Sequence, residues 1–170
     1  MGLNINDAIG EIVALADGEV RRNSVALRTE LADDLPLVVG DRVQLQQVIL
    51  NLVMNGVEAM ASVADRPREL FIRSRQHESD KVLVAVQDSG IGIDQQNLEK
   101  LFDAFYTTKS QGMGMGLAIS RSIVENHGGR LWATANESRG AVFQFTLPTG
   151  DGRAHDRGRH SRPNHETRPG

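Results

Sequence analysis

The sequence predicts a two-layer α/β (α+β) sandwich, with helices on one face of a mixed, mostly antiparallel sheet. Two patterns predict it. Helix-like segments alternate along the chain with strand-like segments, an order that fits helices packed on one face of a sheet. The last four strand-like segments come as two adjacent pairs, each joined by a short polar turn, as antiparallel neighbours require. Aromatic residues make up only 4% of the chain, so the core must be built from Val, Ile, Leu, Met and Ala.

The elements follow in order. Ile5, Ile9, Ile12, Val13, Leu15 and Ala16 fall at helical spacing and predict an amphipathic helix over Asn4–Arg22. Val25, Leu27, Thr29 and Leu31 alternate, predicting a strand over Ser24–Leu31. Asp-Asp-Leu-Pro then makes a loop, and Asp41 is placed to cap a helix running to about Ser62. Strands are expected at Leu70–Arg75 and Lys81–Gln87, around the polar turn Gln76–Asp80. A glycine-studded stretch from Asp88 to Gly116 precedes a helix over Leu117–His127, which Gly128-Gly129 stops. Strands over Arg130–Ala135 and Ala141–Leu147 close the fold, with Pro148 after them.

Composition narrows the functional classes. The chain has 170 residues, 39% apolar and 24% charged, as expected of a soluble globular domain. With 19 basic against 22 acidic residues, nothing points to nucleic acid. The absence of cysteine excludes a disulfide framework, a thiolate zinc site, an iron–sulfur cluster and a cysteine nucleophile. No apolar run approaches the roughly 18 residues of a membrane helix, and without a charged-then-apolar opening no signal peptide is expected. Three regions are expected: a leading helix over 1–22, a central domain over 23–149, and a disordered tail over 150–170. The tail holds five Arg, three His and four Gly but no Val, Ile, Leu or Phe, too little apolar surface to offset its ordering entropy. Its basic charge could touch an acidic partner or simply be solvated.

Three stretches carry chemistry. In the second helix Gln44, Gln47, Asn51, Asn55 and Glu58 recur at steps of three and four, forming one polar stripe opposite Leu45, Val48, Ile49, Leu52, Gly56 and Met60. The stripe could be a solvated face. Asparagine, however, is a poor interior helix residue, and two of them four apart could aim amide oxygens at a hard cation or phosphates. Next, Asp88-Ser89-Gly90-Ile91-Gly92-Ile93 places a carboxylate at a strand end before two glycines. That is either an ordinary turn or a place where backbone approaches a flat ligand. Finally, Lys109-Ser110-Gln111-Gly112-Met113-Gly114-Met115-Gly116-Leu117 sets alternate glycines before a helix N-terminus. It is a flexible connector or an anion-holding loop. It is not a Walker P-loop, having no Lys-Ser/Thr after its glycines, and it lacks the third glycine of a Rossmann turn.

Taken in order, Asn51-x-x-x-Asn55, Asp88-x-Gly90-x-Gly92, Phe102-x-x-Phe105 and Gly112-x-Gly114-x-Gly116-Leu117 resemble the N, G1, F and G2 boxes of the ATP-binding domain of sensor histidine kinases. The flanking wording is similar too, notably Phe105-Tyr106-Thr107-Thr108-Lys109 and Glu125-Asn126-His127-Gly128-Gly129. The resemblance covers about Asn23 to Thr149. It implies the Bergerat-type ATP-binding fold of the gyrase, histidine kinase and MutL superfamily.

The resemblance implies roles residue by residue. Asp88 would accept from the adenine amino group, with Gly90 and Gly92 admitting the base. Guanine would set a carbonyl against that carboxylate, so ATP should be preferred over GTP. Asn51 and Asn55 would hold Mg2+ on the triphosphate, and Lys109 would reach the terminal phosphates. Gly112, Gly114 and Gly116 would let a lid close, Leu117 would cover the nucleotide, and Phe102 and Phe105 would anchor the lid. Ile93, Thr108, Met113 and Met115 complete the expected ATP contacts. Hydrolytic relatives typically carry a glutamate where this chain has Asn51. An amide cannot take a proton from water at neutral pH, which favours γ-phosphoryl transfer over hydrolysis. Glu58 departs from the basic residue many of these kinases carry there.

None of the five histidines fits the family's phosphoacceptor pattern. His77 falls in a turn, His127 ends a helix, and His165 lies in the tail with the wrong spacing. The chain is therefore expected to be the catalytic domain of a longer sensor kinase, its acceptor histidine lying upstream of Met1. Expected partners are the dimerisation and phosphoacceptor domain of the parent and, indirectly, a response-regulator receiver domain. The fragment is expected to be monomeric and cytoplasmic, without nucleic-acid or membrane contact. Its parent is expected to be a homodimer that could be anchored in the inner membrane. Two alternatives share the ATP site: a nucleotide-gated binding module without kinase activity, and a hydrolytic ATPase.

Overall fold

The computed structural model describes residues 2–92, 102, 116–135 and 140–150. Its elements are β1 (Gly2–Leu3), α1 (Ile5–Arg22), β2 (Val25–Leu31), β3 (Val38–Val39), α2 (Arg42–Ala59), β4 (Arg68–His77), β5 (Lys81–Asp88), α3 (Gly116–Asn126), β6 (Arg130–Ala135) and β7 (Ala141–Pro148). Five strands form one sheet in the order β2-β4-β5-β7-β6. The β2–β4 pair is parallel and the other three are antiparallel. The expected mixed, mostly antiparallel sheet is thus present, with the helices on one face.

Strand parity decides what each face becomes. In β5, Val82, Val84, Val86 and Asp88 alternate onto the helix-covered side, and all four are buried. Across the sheet they meet Leu70, Ile72, Phe143, Phe145 and Leu147. Against this layer pack Ile5, Ile9 and Ile12 of α1 and Leu45, Val48, Ile49 and Leu52 of α2, all in the same core. The opposite face carries Arg28, Phe71, Arg73, Arg75, Arg130 and Trp132. Arg28 and Arg73 lie over the Phe71 ring at 4.5 and 5.2 Å, and Arg130 over Trp132 at 4.8 Å. No described helix is long and apolar enough to cross a membrane.

The helix starts follow capping chemistry. Asn4 Oδ1 accepts from the amides of Asn6 and Asp7, and the Asp41 side chain accepts from the Gln44 amide. His127 links the far end of α3 to the start of α2. Its Nδ1 lies 2.8 Å from the Ile123 carbonyl, and its Nε2 accepts from the Asp41 amide at 3.0 Å. That acceptor role places the ring proton on Nδ1.

Several boundaries differ from expectation. The strand β2 begins at Val25, because Ser24 adopts φ 56, a left-handed turn conformation. Helix α2 stops at Ala59 rather than Ser62, and the Ala59 carbonyl accepts from the Ile91 amide at 3.3 Å instead of continuing the helix. Strand β4 is longer than its apolar pattern, since pairing with both β2 and β5 carries it over Arg68–His77. Strand β5 includes Asp88, α3 begins at Gly116 and ends at Asn126, and β7 runs to Pro148. The two-residue strands β1 and β3, paired antiparallel, were not expected, being too short to show a period. Of the tail, only Gly150 is described, its amide donating to the Leu37 carbonyl at 3.1 Å; 151–170 lie outside the described residues.

Candidate functional site

Helix α2 organises the candidate site by touching a different element at each turn. Asn51, half-buried in mid-helix, reaches α3: its Nδ2 donates to Ser120 Oγ at 3.0 Å and to the Gly116 carbonyl at 3.3 Å. Asn55, one turn later, is also half-buried. Gly56 follows, and a Cβ there would stand 2.7 Å from Leu70 Cδ1 and 3.5 Å from Asp88 Cβ. Ala59 ends the helix against Gly90, where a Cβ would come within 2.5 Å of the Ala59 carbonyl oxygen. The helix thus has α3 at Asn51 and the end of β5 at Gly56 and Ala59.

Asp88 closes β5 on the core face and is only 3% exposed. Its Oδ1 accepts the Gly90 amide at 2.8 Å, which bends the chain directly after the strand. Gly92 has φ +89 and Gly140 φ +89, conformations a side chain would strain. Gly140 also packs on the Asp88 backbone, linking the start of β7 to this turn. Gly90 is therefore a glycine because α2 stands against it, and Gly92 because its backbone is left-handed.

The turn is further held by Arg66. Its Nη2 donates to the Gly90 carbonyl at 2.7 Å and its Nε to the Ser89 carbonyl at 3.2 Å, while Asp65 pairs with Nη1 at 3.2 Å. The Ser89 hydroxyl oxygen accepts from the Glu69 amide at 2.9 Å and lies 3.1 Å from the Pro67 carbonyl. Both carbonyls after Asp88 are consequently engaged by one guanidinium, a charge-assisted arrangement.

Of the residues expected to contact nucleotide, Asn51, Asn55, Asp88, Gly90, Gly92, Gly116 and Leu117 are described. Asn51 meets Gly116 directly, and Leu117, half-buried, packs on the core. Phe102 is 9% exposed and meets Phe143 edge-on at 6.3 Å, with the Arg121 guanidinium 5.1 Å from its ring. Ile93, Phe105, Thr108, Lys109, Gly112, Met113, Gly114 and Met115 lie outside the described residues. Sequence reasoning missed Ser120, Arg66 and Gly140. Only Gly140 had a local signal, as the glycine of the Ser-Arg-Gly turn.

A sheet covered by helices on one side, with an amide-bearing helix packed on an acidic strand end, is the framework of a known class of ATP-binding domains. The model of the histidine kinase-, DNA gyrase B-, and HSP90-like ATPase family matches residues 40–151, and the chain belongs to that family. Among curated proteins it is similar to the sensor protein FixL of Bradyrhizobium diazoefficiens, 45% identical over 148 residues, covering 87% of this chain and 29% of FixL. It is 37% identical over 147 residues to the sensor histidine kinase TmoS of Ectopseudomonas mendocina, covering 86% of this chain and 15% of TmoS. The chain thus spans less than a third of the length of either relative. Among solved structures, the catalytic domain of histidine kinase ThkA superposes with a TM-score of 0.78 at 35% identity, covering 88% of this chain and 95% of that one. ThkA has also been solved in complex with response regulator protein TrrA; that structure gives a TM-score of 0.74 at 33% identity, covering 88% of this chain and 41% of that one.

Proposed function

We propose that this domain binds ATP and magnesium and transfers the γ-phosphoryl group to a histidine on a dimerisation domain outside the chain. The observation that carries the reading is the course of α2, which meets α3 through Asn51 and the Asp88 end of β5 through Gly56. Asp88, buried and acceptor-rich, suits an adenine amino group. Lys109 is assigned to the terminal phosphates, and Ile93, Phe105, Thr108, Gly112, Met113, Gly114, Met115, Gly116 and Leu117 to the remaining nucleotide contacts. The domain would work in the cytoplasm, serving a response regulator through the acceptor histidine.

The donor set fits magnesium. Asn51 and Asn55 offer neutral amide oxygens one helical turn apart, suited to a cation that keeps waters and draws its other ligands from phosphate. Bound magnesium supplies charge neutralisation on the triphosphate. The chain's own residues bind and orient: Asp88 fixes the base, the α2 amides fix the phosphate end, and Asn51 cannot deprotonate water. The γ-phosphorus would lose its bond to the bridging oxygen and gain one to the acceptor imidazole nitrogen, ADP leaving.

The test supplies labelled ATP, magnesium and the separately expressed dimerisation domain of the parent. Acid-labile phosphohistidine should appear on that domain and not on this chain. Binding of ATP without transfer would favour the nucleotide-gated module, and phosphate release without an acceptor would favour the ATPase.

A further inference from the structure

Ser120 lies one turn into α3 and is completely buried, at 0% exposure. Its Oγ accepts from Asn51 Nδ2 at 3.0 Å, and the same nitrogen donates to the Gly116 carbonyl at 3.3 Å. A hydroxyl can face either end of an amide, but a backbone carbonyl can only accept. The Gly116 contact therefore decides which end of the Asn51 amide turns to α3: the nitrogen faces in and Oδ1 faces away. Rotating the amide by half a turn would set its oxygen against the Gly116 oxygen, acceptor to acceptor. A hard cation binds an amide through its oxygen alone. Ser120 is the side chain that completes this cradle, because the Gly116 contact is backbone.

We propose that Ser120 is a positioning residue for metal-assisted nucleotide binding, giving the Asn51 amide nitrogen a second acceptor beside the Gly116 carbonyl and so holding in place the amide whose Oδ1 is offered to magnesium. The inference rests on the reading of Asn51 as a magnesium ligand. It goes beyond that reading by assigning the positioning of the ligand to a residue of another helix. Groups that orient metal ligands through their far side typically change metal affinity by about 10–100-fold when removed. Asn51 retains Gly116 in a Ser120→Ala variant, so the lower end of that range is expected.

The experiment measures calorimetric affinity for a non-hydrolysable ATP analogue with magnesium and with a chelator, for the wild type, Ser120→Ala, Asn51→Ala and the double variant. Thermal melting runs alongside. In Ser120→Ala the gain in affinity that magnesium confers should fall about tenfold. Affinity under chelation should stay within about twofold, and on the Asn51→Ala background Ser120→Ala should have no further effect on the magnesium gain. Equal losses with and without magnesium would reduce Ser120 to a packing residue and overturn the proposal. So would an undiminished effect on the Asn51→Ala background. If Asn51→Ala itself leaves the magnesium gain intact, the metal-ligand reading of Asn51 fails, and the role of Ser120 fails with it.

Discussion

Gly140 and Asp88 touch through their backbones so closely that a Cβ on Gly140 would stand 2.0 Å from the Asp88 carbonyl oxygen. The contact ties the start of β7 to the candidate adenine residue. Gly140 combines this approach with φ +89, so an added methyl group meets both a backbone clash and a strained conformation. Gly140→Ala is expected to cost about 3 kcal/mol, lowering the melting temperature by roughly 6–12 °C. Because the clash falls on Asp88, ATP affinity measured well below the melting temperature should drop as well. A variant that melts early but binds normally would remove Gly140 from the site.

Asp88 itself is tested by changing one atom. Asp88→Asn preserves shape but converts an acceptor-only group into one that can present a donor to the adenine amino group. The expected loss of ATP affinity is about 1–3 kcal/mol, roughly 5–150-fold by calorimetry. The preference for ATP over GTP should narrow in parallel. The Gly90 amide, which Asp88 Oδ1 accepts at 2.8 Å, remains a suitable partner for the Asn oxygen, so the fold should survive.

Arg66 gives a third prediction. Its guanidinium engages the carbonyls of Ser89 and Gly90, the two residues directly after Asp88. Arg66→Ala leaves both carbonyls to water and loosens the turn. ATP affinity is expected to fall about 3–10-fold, the scale of one or two hydrogen bonds, while Arg66→Lys, with one compact donor group, should recover part of it. An unchanged nucleotide affinity in Arg66→Ala would show that the turn keeps its shape without the arginine.

What could be read from sequence and what could not divide along physical lines. The Asn51–Asn55 stripe is periodic, so spacing alone places it on one helix face, whereas Val82–Val86 is apolar throughout and only the sheet pairing shows which of its side chains face the helices. Ser120 carried no such signal, because a small polar residue in a helix looks the same whether it faces water or another helix. Arg66 stands in a polar connector, where an arginine ordinarily reads as solvated, and its partners are carbonyls more than 20 positions away. At Gly90 the sequence admits either a turn or the approach of a ligand, and the Ala59 carbonyl adds a packing reason for glycine that only the fold reveals. Chain-distant backbone contacts of this kind leave no trace in local composition. The end of α2 leaves no local trace for the same reason: the carbonyl of its last residue, Ala59, is met by the chain-distant Ile91 amide.

The junction of α1 and α2 supplies a pH prediction. Glu11 Oε2 lies 2.8 Å from Arg42 Nη2, and Glu11 Oε1 accepts from Gln46 Nε2 at 2.7 Å. The hydrogen bond from Arg42, reinforced by that from Gln46, holds the Glu11 carboxyl below its ordinary value. A carboxyl depressed in the folded state binds its proton less readily there than in the unfolded chain. Its contribution to stability is therefore fully present above the ordinary carboxylate range and lost as pH falls through the lowered value. Glu11 is exposed and Arg42 partly so, so the contribution is small and salt-sensitive. Denaturant unfolding of wild type and Glu11→Gln should show the wild type more stable near neutral pH and low salt. The two curves should converge as the solution is acidified below the carboxylate range, and again at about 1 M salt. A difference that persists in acid would mean that Glu11 acts through packing of its stem rather than through its charge.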